Sequence, residues 1–195
     1  MAGVNQGKEE NKRDGQRGPR LPLVPVEQMP EKTRKMILAG GPTNSLNINK
    51  MMAHAENSVR HYMRLGSSLL SQVKLDAYLR ELCILRVAAL CDSYYEWYQH
   101  EKMAREAGVP EEKIAGVKIG PDEGCFSEPE RLVLEYTDEV TIKIKSTDET
   151  FYKLAEHFDH RELAELTLII GFYNMVARFL ENTEVQVERN KRINV

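Results

Sequence analysis

Long apolar runs are missing from this sequence. The first twenty residues, MAGVNQGKEENKRDGQRGPR, are polar and charged, so neither a secretory signal nor an N-terminal anchor is expected, and the chain is read as cytoplasmic. The longest nearly uncharged stretches, Leu82 to Cys91 and Leu166 to Ala177, fall short of the roughly 20 residues that span a bilayer, and both read as core helices. A surplus of charge is missing too. The 27 basic residues against 30 acidic ones give a formal net charge of −3, which leaves no general pull toward nucleic acid or an anionic membrane. Paired cysteines are also absent: Cys83, Cys91 and Cys125 form neither a C-x-x-C pair nor a metal-ligand spacing, and are expected to be free, buried and inert. At 195 residues, 42% of them hydrophobic, the chain suffices for one well-buried core and is too short for two domains.

What is present is helical. Residues 1–20 have the composition of a disordered arm, and LPLVPVEQMP, with Pro22, Pro25 and Pro30, reads as an extended strap. A helical domain is expected over 21–188, followed by a tail over 189–195. Pro30 opens a short helix that stops at Gly40 and Gly41. A second helix is expected from about Ile48 to Leu65, closed by Gly66, with His54 and His61 on one face. The third begins near Lys74 and becomes apolar all round, which marks the centre of the domain. A fourth covers Tyr94 to Ala107, and PEEKIAGVKIG forms a short fifth. Ser127 with Glu130 makes a capping box, Thr147 and Thr150 compete as the next cap, and a last long helix runs from about Arg161 to Leu180. The β-branched residues sit at helical rather than alternating spacing, so the fold class is all-α.

The stretch RELCILRVAALCDSYYEWYQH concentrates the chemistry. Ser93, Glu96 and His100 share one helical face beside Trp97, and an acid four residues from an imidazole can orient it or exchange protons with it. The same spacing also occurs on ordinary solvated helix faces. Packing this helix against the apolar one brings Glu81 and Arg86 within reach of the His100 face, where buried charges need partners or a task. Arg86 is read either as a buried ion pair joining helices or as a carboxylate binder; Glu81 as a solvated first-turn residue or a partner of the imidazole. Trp97, Tyr94 and Tyr95 would wall a pocket or pack in a core or subunit interface. His54 and His61, on one face of the second helix, read from the residues alone as solvated or packing histidines. A metal site would need a third converging ligand, and none is expected.

RELCILRVAALCDSYYEWYQHEKMAREAGVPEEKI resembles the signature of the carboxymuconolactone decarboxylase family, which includes the alkyl hydroperoxidase D-like proteins, and ELAELTLIIGFYNMVARFLENTEV is similar to that family's C-terminal helix. The resemblance extends over about residues 20 to 188. It implies a helical fold assembled as a homo-oligomer, a trimer or a hexamer, with no metal or organic cofactor. The peroxidase branch uses a glutamate, a C-x-x-C pair and a histidine; laid over this chain these fall on Glu81, on Ser93 and Glu96, and on His100. Serine and glutamate supply neither an attacking thiolate nor a resolving thiol. The resemblance therefore points to the decarboxylase branch: a cofactor-free lyase acting on a small oxidised ring compound, a lactone or keto acid. Its catalytic residues would be His100, as the proton donor, with Glu96 or Glu81 holding the imidazolium, and Arg86, Ser93, Trp97 and His54 would surround the substrate. The rivals are a thiol peroxidase relying on Cys91 and Cys83, and a non-catalytic helical oligomer.

Overall fold

The computed structural model describes residues 18–41 and 45–188; most of the expected arm, and the tail over 189–195, lie outside them. Nine α-helices, and no strand, are found among the described residues: α1 Glu31–Ala39, α2 Asn47–Met52, α3 Val59–Ser71, α4 Ala77–Leu90, α5 Tyr94–Glu106, α6 Glu111–Ile119, α7 Glu128–Lys143, α8 Asp148–Ala155 and α9 His160–Thr183. The all-α reading holds.

α4 is the centre, as its all-round apolar pattern requires. Every residue from Glu81 to Ala88 is buried, and the helix packs against α5, α6, α7 and α9. Its start is fixed by Asp76, whose carboxylate accepts from the Tyr78 amide at 2.8 Å. α7 opens on the expected capping box, with the Ser127 amide donating to Glu130 at 2.6 Å, and Thr147 rather than Thr150 caps α8. α9 is apolar and long enough to cross a bilayer on length and composition alone, but half of its most apolar window is buried here, as in a core helix.

The expected second helix is two helices. α2 ends at Met52, residues 53–58 turn, and α3 begins at Val59. The run His54–Ser58, polar except for Ala55, offers no apolar stripe to bury, so the chain turns there instead of continuing. His54 and His61 therefore share no helical face. Gly66 does not close a helix either. It sits inside α3, where an added Cβ would stand 3.0 Å from the Phe172 ring, so its bare backbone lets α9 approach.

The N-terminal strap and the C-terminal segment lie together. Arg20 donates its amide to Thr183 O at 2.9 Å and pairs with Glu184, while the Val24 amide donates to Lys50 O at 3.3 Å. Glu188 accepts from the Asn47 amide at 2.6 Å, the Tyr95 hydroxyl at 2.7 Å and the Gln99 side chain at 2.7 Å. These bonds tie α2 to α5 and thereby fix one wall of the cavity described next.

Candidate active site

α2, α3, α5 and α9 line an open-mouthed cavity of about 580 Å³, a volume suited to a small organic molecule. Its walls are mostly apolar and aromatic. Tyr62 of α3 and Phe172 of α9 stack with centroids 5.4 Å apart, and Tyr173 meets His100 edge-on at 4.8 Å. At the inner end stand Glu96 and His100, 5% and 6% exposed.

Their spacing on α5 sets the pair, but the tightest contact comes from α4. His100 Nδ1 lies 2.7 Å from Glu81 Oε2, whereas His100 Nε2 lies 3.6 Å from Glu96 Oε2. Glu81 is 0% exposed, and its other oxygen accepts from Arg80 at 3.0 Å. An ionised carboxylate can only accept, so Glu81, already accepting from Arg80, assigns the Nδ1 position its proton, and Nε2 is aimed toward Glu96 and the cavity. Glu81 is thus no solvated first-turn residue: it stands in the second turn of α4, wholly enclosed. Arg80 carries no signal in the sequence, because an arginine next to a glutamate on a helix ordinarily points elsewhere; here both side chains are drawn behind α5.

Burial and charge tune the pair. Burial penalises the charged Glu96 carboxylate most, His100 offsets part of that penalty and Glu81 adds to it, so the carboxyl is pushed up from 4.5 to about 7. For His100 burial opposes the charged form, yet the hydrogen bond and charge of Glu81, with Glu96 behind it, carry the imidazole above its usual value. A carboxyl held near neutrality and an imidazole carried above its usual value lie side by side at the inner end of the cavity.

The signs give a stability prediction. Both groups hold their protons more tightly in the folded chain than in the unfolded one. The stability they contribute is therefore present at low pH and is lost as pH rises through the folded values. For Glu96, moving from 4.5 to about 7 corresponds to a loss of about 2–3 kcal/mol between pH 5 and pH 8. Glu96→Gln should flatten this slope in denaturant titrations at the two pH values. An equally steep slope in the variant would place the titration elsewhere.

The side chains expected around the substrate stand apart from this cavity. Arg86 is 7% exposed and spans α4, α6 and α7: its guanidinium pairs with Asp138 at 2.5 and 2.8 Å and donates to Val117 O at 2.7 Å. A guanidinium so occupied is a brace between helices, the ion-pair alternative of the sequence reading. Ser93 and Trp97 face a second cavity, of about 530 Å³, on another side of α5. There Lys118 Nζ sits 4.2 Å from the Trp97 ring centre. His54 donates to Pro22 O at 2.7 Å and fastens the strap. Tyr62, Phe172 and Tyr173 escape sequence reasoning as site residues, because their helical spacing matches that of core residues.

The thiols are remote from the cavity as well. Cys83 is wholly buried in the core and burial pushes its thiol far up, while Cys91 Sγ lies 3.8 Å from Asn174 Oδ1. Cys91 and Cys125 are half-buried rather than buried as expected, and none of the three lines the His100 cavity.

Residues 57–139 match the carboxymuconolactone decarboxylase family. The uncharacterized protein YnjA of Escherichia coli (strain K12) is 31% identical over 121 residues, covering 61% of this chain and 66%, just under two thirds, of that protein. Among solved structures, an uncharacterized peroxidase-related protein of Ralstonia eutropha JMP134 with an alkylhydroperoxidase AhpD core superposes with a TM-score of 0.77 at 17% identity, covering 87% of this chain and 92% of that one. An uncharacterized peroxidase-related protein of Silicibacter sp. TM1040 gives a TM-score of 0.75 at 16% identity, over 95% and 96%. At these identities the two structures establish a shared fold.

Proposed function

With residues 57–139 belonging to the carboxymuconolactone decarboxylase family, we propose that the protein is a cytoplasmic, cofactor-independent lyase that removes CO2 from a small oxidised ring compound, a lactone or a keto acid, by acid–base chemistry at Glu96 and His100. The observation that carries this reading is the buried Glu81–His100–Glu96 array at the closed end of a mostly apolar cavity. Loss of CO2 leaves an electron pair that must be delocalised onto a carbonyl oxygen and then protonated at carbon. The array offers a cation for the oxygen and an acid for the carbon. Incubation with carboxylated unsaturated lactones in D2O tests it: one CO2 should be released per molecule consumed, with one deuterium on the product carbon. Consumption of peroxide with no CO2 from any such compound would contradict it.

The absence of a thiol from the cavity favours this reading over a peroxidase. Replacing Cys83, Cys91 and Cys125 together by alanine or serine should leave turnover within about twofold, although removing buried atoms costs about 1–3 kcal/mol of stability. Lost turnover in a variant that still folds would return the chemistry to sulfur.

The chain is further proposed to be a homo-oligomer, a trimer or hexamer. Leu168 and Met175 lie on the outer side of α9 and are exposed, as are Ile142, Ile144 and Tyr152. Apolar surface of this kind favours a second subunit. Light scattering should give a mass several times 22.4 kDa; a monomer at micromolar concentration would contradict this.

A further inference from the structure

The acid–base reading of this cavity leaves open how a ring carboxylate is accommodated there, and the charges on the walls answer it. Among the described residues lining the cavity, the charged side chains are Glu96 and His100 at the inner end and Lys102 and Glu106 at the rim; no arginine lines it. The Lys102 side chain is 80% exposed and lies 3.6 Å from Glu106, so water and that partner screen it. Behind the wall, Glu81 is held between Arg80 and His100. Tyr62 from α3 and Tyr173 from α9 face the same end, and burial keeps both as neutral phenols.

With Glu96 ionised and His100 protonated, the charges at the inner end cancel. Two carboxylates, Glu81 and Glu96, face one guanidinium, Arg80, and one imidazolium, His100. An incoming carboxylate adds a negative charge where water has little access to offset it. Protonating Glu96 removes one and restores the balance. Glu96 is also the carboxyl in contact with the cavity, whereas Glu81 is sealed behind His100.

We infer that an anionic ring substrate enters this cavity together with one proton, taken up by Glu96, and that Glu96 then delivers this proton to carbon. The carbon–carbon bond to the carboxylate breaks, its electron pair passes into the conjugated carbonyl, and CO2 leaves. The enolate oxygen so formed is stabilised by the His100 imidazolium. The pair returns to carbon, which takes the proton from Glu96–OH, and Glu96 is left as a carboxylate. One carboxylate and one proton become one neutral ring compound and one CO2. Burial already holds the Glu96 carboxyl near 7, so uptake at neutral pH meets little resistance.

Calorimetric binding of 2-furoate, a small unreactive ring carboxylate, in buffers of different ionisation heat counts the protons directly, with the uncharged 2-furamide as the control. At pH 8 nearly one proton should be taken up per 2-furoate bound and none per 2-furamide. Affinity for 2-furoate should fall about tenfold from pH 6 to pH 8, and that for 2-furamide should stay level. Glu96→Gln, a permanent mimic of the protonated acid, should bind 2-furoate with no uptake and no pH slope. Binding of 2-furoate without proton uptake, uptake that survives in Glu96→Gln and so belongs to His100, or no binding of 2-furoate between pH 5.5 and 8.5 would each overturn the inference. The two readings fail separately: CO2 release without proton uptake sinks this inference alone, and uptake without CO2 release sinks the lyase reading alone.

Discussion

Replacing His100 by alanine is expected to lower kcat by roughly 10²- to 10⁴-fold, the range spanned by losing a general acid or an oxyanion-stabilising group. Two losses combine. The cation that faces the developing negative charge disappears, and so does the charge that holds Glu96 down, so the Glu96 carboxyl rises further and gives up its proton less readily. His100→Gln retains most of the packing against Tyr173 while removing the charge, and it should lose a similar factor. If that variant turned over at near-normal rate with the fold intact, the imidazole would be structural.

Glu81→Ala is expected to cost about 3–5 kcal/mol of folding stability, the scale on which breaking a buried ionic network destabilises a protein. Glu81 is 0% exposed and serves Arg80 and His100 at once, so its removal leaves a guanidinium and an imidazole enclosed without their acceptor. The imidazole should respond in a way that packing loss alone would not produce. Without the hydrogen bond and charge of Glu81, only Glu96 is left to oppose burial, and His100 should titrate lower than in the parent protein. Urea unfolding with NMR titration of the His100 ring in Glu81→Gln, the milder change, reads both. A loss under 1 kcal/mol with an unmoved imidazole would mean that Glu81 neither braces nor tunes the site.

Much of this is legible in the sequence where the physics is local. The all-round apolar pattern of α4, the Ser127–Glu130 box and the Pro110 start of α6 depend on neighbours a few residues away, and the helices appear where those signals stand. The i,i+4 pairing of Glu96 with His100 is local as well. Features set by tertiary packing are less legible. The break between α2 and α3 hides inside a plausible helical pattern, and Gly66, which reads as a helix stop, serves a close approach of α9 more than a hundred residues away. Arg86 has two possible tasks on sequence grounds, and only the position of Asp138 on α7 and the carbonyls ending α6 decide between them. The identity of the imidazole's main partner, Glu81 and not Glu96, follows from how α4 and α5 cross, which periodicity does not encode.

The proposed proton transfer needs an acid held near neutrality beside His100, and the titration of the Glu96 carboxyl tests that most directly, whatever the substrate. With a ¹³C label on the glutamate carboxyls of the full-length protein, and Glu96→Gln to assign the signal, the Glu96 resonance should titrate with a midpoint of about 7, and the His100 ring should report the same event. A midpoint at the ordinary 4.5, insensitive to His100, would mean an ionised, solvated carboxylate and would contradict the proposed proton transfer.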